Sequence, residues 1–150
     1  RGLGDVYKRQ LQEEKSDPAI VLCAAYLHDL GSKETEQKDP DIADASQEKE
    51  GTIIAQTILT NLGADSELID EVCEIISHHH HPRNEETINF KIVFDADQMV
   101  ILEEKLGNAT LGNKGLAEKI NQTFLTETGK KLAKKILLDR ELILKIKGAI

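Results

Sequence analysis

A chain of 150 residues, 39% of them hydrophobic, is long enough for one compact domain, and a domain of that size buries roughly 70% of its unfolded surface. The formal net charge of −8 argues against a nucleic-acid polymer as partner, because phosphate backbones are held by clustered basic surfaces. Acting on a phosphate is still open to an acidic protein when a metal ion supplies the local positive charge. No apolar run approaches the ~20 residues of a membrane span, and no signal peptide is visible, so a cytoplasmic protein away from membranes is expected.

Aromatic residues make up only 3% and Leu, Ile and Ala dominate, which favours helices over sheets. Arg1 to Gln10 has no periodicity and resembles translated linker sequence, so residues 1–10 are left out of the fold reading. On that reading authentic sequence begins near Leu11 and an N-terminal element is missing. Asp17-Pro18 is a helix start, with Asp17 as cap and Pro18 in the first turn. Ala19 to Leu30 is apolar almost all round, the pattern of a buried central helix, and Gly31 is its terminator. Cys23 and Cys73 sit in apolar contexts and are expected as free thiols.

Ser32 to Ser46 is charged, contains Pro40, and reads as a solvated loop with room for one short helix. Gln47 to Asn61 resumes helical spacing with Ile54, Ile58 and Leu62 on one side, and Gly63 ends it. Asp65 then caps a helix whose Leu68, Ile69, Val72, Ile75 and Ile76 form an amphipathic stripe. His79 falls three helical turns after Leu68 and continues that stripe, with His78 about 100° away. Pro82 closes the segment. Thr87 caps a helix to about Leu106 with Phe90, Val93 and Val100 on its apolar face. Asp97 lies between Val93 and Val100 and points inward, and Asp95 sits on the flank. Gly115 to Ile150 reads as one or two amphipathic helices broken near Thr126 to Gly129, with Leu132, Ile136, Leu137, Leu142, Ile143 and Ile146 facing inward. The expected architecture is an all-α, single-domain helical bundle of about five to seven helices.

Within this apolar framework His28, Asp29, His78, His79 and Asp97 are the candidate metal ligands, drawn from helix ends and inward faces. A divalent transition metal takes imidazole nitrogen and carboxylate oxygen together. A buried, unpaired Asp97 or Asp29 would be costly, and a cation removes that cost. Such an ion acidifies a bound water and polarises a phosphoryl oxygen. There is no nucleophile elbow and no glycine-rich phosphate cradle, so in an enzyme the metal would supply the nucleophile.

The segments Leu27-His28-Asp29-Leu30-Gly31, Ile75-Ile76-Ser77-His78-His79 and Phe94-Asp95-Ala96-Asp97-Gln98 resemble those of the HD-domain metal-dependent phosphohydrolases, over roughly residues 18 to 105. The resemblance implies an all-helical HD-type bundle. It implies that His28 and Asp29 hold a divalent metal (Mn, Ni, Co, Fe, Zn or Mg), that Asp97 is the distal ligand, and that His78 and His79 serve a second metal. Asp29 would also take part in catalysis, and Lys33, with Arg83 and Lys91 as further candidates, would contact a substrate phosphate. Glu50 stands where some branches carry another metal histidine. His80 and His81 are expected at the surface or behind the ligands, and Asp95 as an orienting or capping residue.

The family's first histidine has no counterpart among the five histidines, none of which precedes His28. The chain as given is therefore expected to bind metal weakly and to be inactive in that form. Two functions stay open. One is hydrolysis of a small phosphate ester, such as a nucleotide, by a metal-activated water. The other is a non-catalytic module that binds metal or nucleotide as a sensor or scaffold.

Overall fold

The computed structural model describes residues 15–31, 40–106, 112–139 and 148. Lys33, Leu142, Ile143, Ile146 and the 1–10 stretch fall outside them. The described residues form six α-helices and no strand, the all-helical class expected: α1 (Pro18–Leu27), α2 (Pro40–Asn61), α3 (Ser66–Ser77), α4 (Ile88–Leu106), α5 (Asn113–Thr123) and α6 (Glu127–Ala133). A π-helical turn, Lys134–Leu138, continues α6. The chain divides into two compact units after Val93, within α4.

In the first unit, α3 packs against both α1 and α2. Helix α1 starts as expected, with the Asp17 carboxylate accepting from the Ala19 N–H at 2.9 Å, which satisfies a donor the helix leaves free. It is not buried all round. Ile20, Val21 and Ala24 are enclosed, whereas Leu22, Leu30 and Tyr26 are exposed, Tyr26 by 81%. A uniformly apolar sequence cannot say which face meets the neighbours, and only one face does.

Helix α2 begins at Pro40, seven residues before the expected start, because Pro suits a first helical position. Its end is the expected one. Gly63 adopts φ +75°, and the N–H groups of Gly63 and Ala64 donate to the carbonyls of Thr60 and Leu59, the left-handed glycine closure of a helix. The buried face, however, is not Ile54, Ile58 and Leu62. Leu62 is 77% exposed and Ile54 is exposed too, while Glu48, Gly51, Ala55 and Leu59 are buried. These lie at offsets of three, seven and eleven from Glu48, rotated about 100° from the expected stripe.

The reason is backbone proximity. A Cβ at Gly51 would stand 3.4 Å from Ile76 Cγ2 and 3.6 Å from the Gly31 nitrogen, and a Cβ at Gly31 would collide with the Gln47 carbonyl. Small residues let α2 close on the α1 turn, and its branched residues are left outside.

Asp65 occupies the N-cap of α3 as expected but makes no side-chain cap bond. Val72, Ile75 and Ile76 are buried, so that stripe holds. At the start of α4, Thr87 caps, its Oγ1 accepting from the Phe90 N–H at 3.1 Å.

The core of the second unit is Leu102, Leu116, Ile120, Phe124, Ala133 and Leu137, with Met99, Leu106, Ile136 and Leu138 packed against it. Asp95, Met99, Leu102 and Leu106 recur at helical spacing on α4. Val100, expected inward, lies one position off that stripe and is exposed. The break between α5 and α6 falls at Phe124–Thr126, slightly before the expected Thr126 to Gly129. Asp95 decides its place by accepting from the Leu125 N–H at 2.7 Å, the Thr126 N–H at 2.9 Å and the Thr126 hydroxyl at 2.7 Å. Thr126 Oγ1 in turn accepts from the Gly129 N–H and caps α6.

Two glycines should respond with opposite signs in denaturant unfolding. Gly31→Ala places a methyl group against the α2 backbone and should destabilise by about 1–3 kcal/mol. Gly115→Ala on α5 meets open space and should stabilise by up to about 1 kcal/mol.

Candidate metal centre

Two histidines follow two helix ends in the first unit and use the same local bond. His28 caps α1, its N–H donating to the Ala24 carbonyl, and its ring Nδ1–H donates to the Ala25 carbonyl at 2.7 Å. His79 follows α3, and its Nδ1–H donates to the Ile76 carbonyl at 2.7 Å. A carbonyl can only accept, so Nδ1 carries the hydrogen in each ring. The packing of α1 against α3 brings the rings edge to face with centroids 5.3 Å apart.

His79 is 2% exposed. Burial is the main cause that lowers its pKa below the ordinary value; neighbouring His80 and His28 also lower it, while the Ile76 bond and Glu48 oppose the shift. The ring is therefore neutral near pH 7. Its buried Nε2 has no hydrogen-bond partner among the described residues. A buried acceptor without a donor is costly, and a cation is what a neutral imidazole lone pair accepts best.

Glu48, 6% exposed, arrives from the small-residue face of α2. Its Oε1 accepts from the His80 backbone N–H at 3.0 Å and lies 3.4 Å from His80 Nδ1 and 3.6 Å from His81 Nδ1. Asp44, one turn earlier, is 3.8 Å from His80 Nδ1. The His79 and His80 rings are 3.9 Å apart. Donor atoms of Glu48, His79 and His80 all lie within 4.8 Å of one another. Tetrahedral ligands about 2.1 Å from an ion stand about 3.4 Å apart, so modest side-chain adjustment closes the set. One carboxylate with two imidazoles suits a borderline divalent metal, and the orphaned His79 nitrogen gives such an ion a place. The residues present fit a metal.

The expected pair was His78 and His79; the converging pair is His79 and His80. Helical geometry ends at Ser77, and His78 has φ −145° and ψ 26°, so the 100° step no longer predicts direction beyond it. His78 instead stacks on Phe90, centroids 4.6 Å apart and planes 11° apart, and its Nε2 lies 2.9 Å from Glu86 Oε1. Glu48 does not stand out in the sequence because the buried face of α2 lies one residue away from the stripe that its branched residues mark. Glu50, the position the resemblance pointed to, is two residues further, about 200° round the helix, and lies in mid-helix. Reading back one turn from Gly51 along Leu59, Ala55 and Gly51 would have reached Glu48.

Asp29 is exposed, with Oδ2 3.3 Å from His28 Nε2. Asp97 is half-buried on α4 in the second unit. Asp95 is the capping residue described above; burial raises its pKa while its three hydrogen bonds and Lys130 oppose that shift. Arg83 Nη1 is paired with Glu74 at 2.7 Å on the surface. Both cysteines are free and half-buried.

The HD domain family model matches residues 3–100, more than half of the chain, and the chain belongs to the HD-domain family. HD domains are in general metal-dependent hydrolases that bind divalent metals. No curated protein and no solved structure matches the chain. Among the described residues, no helix is long and apolar enough to cross a membrane.

The burial of His79 has a consequence for stability in the metal-free protein. Its folded pKa lies below the ordinary 6.5, so between the two values the unfolded chain binds the extra proton. The contribution is complete above 6.5 and is lost as pH falls through the folded value. Between about pH 7.5 and about pH 5, the wild type should therefore lose more stability than His79→Gln, measured by denaturant unfolding at each pH.

Proposed function

We propose that this chain is a metal-dependent phosphohydrolase acting on a small phosphate ester such as a nucleotide. The observation that carries the reading is the buried, neutral His79 whose unpartnered Nε2 stands beside Glu48 and His80. Glu48, His79 and His80 would hold a divalent ion, with the ring of His28 at its edge. When bound, such an ion polarises a phosphoryl oxygen and acidifies a water.

The chain's own groups have separate tasks. The carbonyls of Ala25 and Ile76 orient the two rings through Nδ1–H, and burial keeps the His79 ring neutral. The Glu48 carboxylate leaves an ion–ligand set with net positive charge, which attracts a phosphate despite the acidic chain. Asp29, exposed with Oδ2 3.3 Å from His28 Nε2, would accept a proton from an attacking water. The assignments of Asp97 as a ligand and Lys33 as a phosphate contact rest on the family pattern and sequence position.

The test is metal content first, then turnover of p-nitrophenyl phosphate and nucleoside monophosphates with Mn, Co or Ni. Glu48→Ala and His79→Ala should each weaken metal binding by more than the 10- to 100-fold typical of losing a supporting group behind a ligand. Asp29→Asn should lower kcat while leaving metal bound. Metal binding with no phosphoester cleavage would favour the sensor or scaffold reading instead.

A further inference from the structure

The loop after α3 contains a strut that the metal chemistry does not use. His78 is the residue at which the chain leaves the helix, and its carbonyl accepts from the His81 N–H at 2.9 Å. That bond closes a turn with His79 and His80 inside it. The ring of His78 is held from two sides. One face lies on Phe90, which is fully enclosed at the start of α4. Its Nε2 meets Glu86 Oε1 at 2.9 Å, with both side chains largely buried. The same Glu86 oxygen accepts from the Arg83 N–H at 2.7 Å and so folds the 83–86 stretch beneath it. Since the Glu86 carboxylate accepts, Nε2 of His78 carries the hydrogen. That nitrogen is therefore a donor turned to Glu86, and the other, Nδ1, lies 3.4 Å from Ser77 Oγ.

We propose that His78, anchored by Glu86 and Phe90, is a positioning residue that presents His79 and His80 to Glu48 rather than a metal ligand. This rests on the metal-site reading above. Groups behind metal ligands typically account for 10- to 100-fold in affinity, because a ligand that wanders must be ordered again on binding.

Cobalt(II) binding to the full chain, followed by calorimetry and by the visible absorption of the bound ion, tests the proposal by its sign. Glu86→Ala frees the His78 ring. It should weaken cobalt binding about 10- to 100-fold and alter the absorption bands, with helical content retained by circular dichroism. Glu86→Gln keeps an oxygen acceptor for both His78 and Arg83 and should restore most of the affinity. His78→Phe keeps the stacking and should weaken binding without abolishing it, a second measurement if Glu86→Ala does not fold. Were His78 a ligand held off by Glu86, Glu86→Ala would bind cobalt more tightly and His78→Phe would lose the ion. Either result, or unchanged binding in Glu86→Ala, overturns the proposal. Failure of the wild type to bind cobalt overturns the metal-site reading itself, and the strut with it, so the two failures are distinguishable.

Discussion

The carboxylate of Glu48 is enclosed because the same face of α2 carries almost no side chain. Gly51 and Ala55 follow it, and Gly31 receives the helix at the end of α1. With backbones this close, the residue one turn before Gly51 has no path to water. It is directed at the loop after α3, where the His80 N–H and three imidazoles meet it. Burying a carboxylate costs several kcal/mol unless it is compensated. Here compensation comes from one backbone N–H and from imidazoles able to share a cation with it. The close helix packing and the candidate chemistry are thus one constraint, since a side chain at Gly31 would meet the α2 backbone on either side of Glu48.

The imidazoles are prepared by an equally local device. A histidine just past a helix end finds a carbonyl three residues back that the helix no longer uses. His28 and His79 both donate Nδ1–H to such a carbonyl, which determines the tautomer without any distant partner. Desolvation then keeps His79 neutral. The first unit therefore holds, in His79, a ring whose lone pair is available in advance, the preorganisation that a metal site needs.

In the second unit, Asp95 and Asp97 show how two aspartates two residues apart diverge. About 200° separates them on α4. Asp95 faces Thr126 and caps the α5–α6 break with three bonds, and a Cβ at Gly129 would collide with it. It is a capping carboxylate, the role expected of it from the sequence.

Periodicity and capping alone determined the helical class, the α1 start at Asp17-Pro18, the Gly63 stop, the α3 stripe and the Thr87 cap, because each depends on residues within one or two turns. The Leu27-to-Gly31 segment with its His-Asp pair was also legible, since an apolar helix ending in two ligand-type side chains is a local pattern. The tertiary structure decided which face of α1 and α2 is buried, that Glu48 rather than Glu50 meets the histidines, and that His80 rather than His78 joins His79. Those outcomes depend on backbone proximity at glycine and on a loop beyond the helix, where the angular rule for successive residues no longer applies.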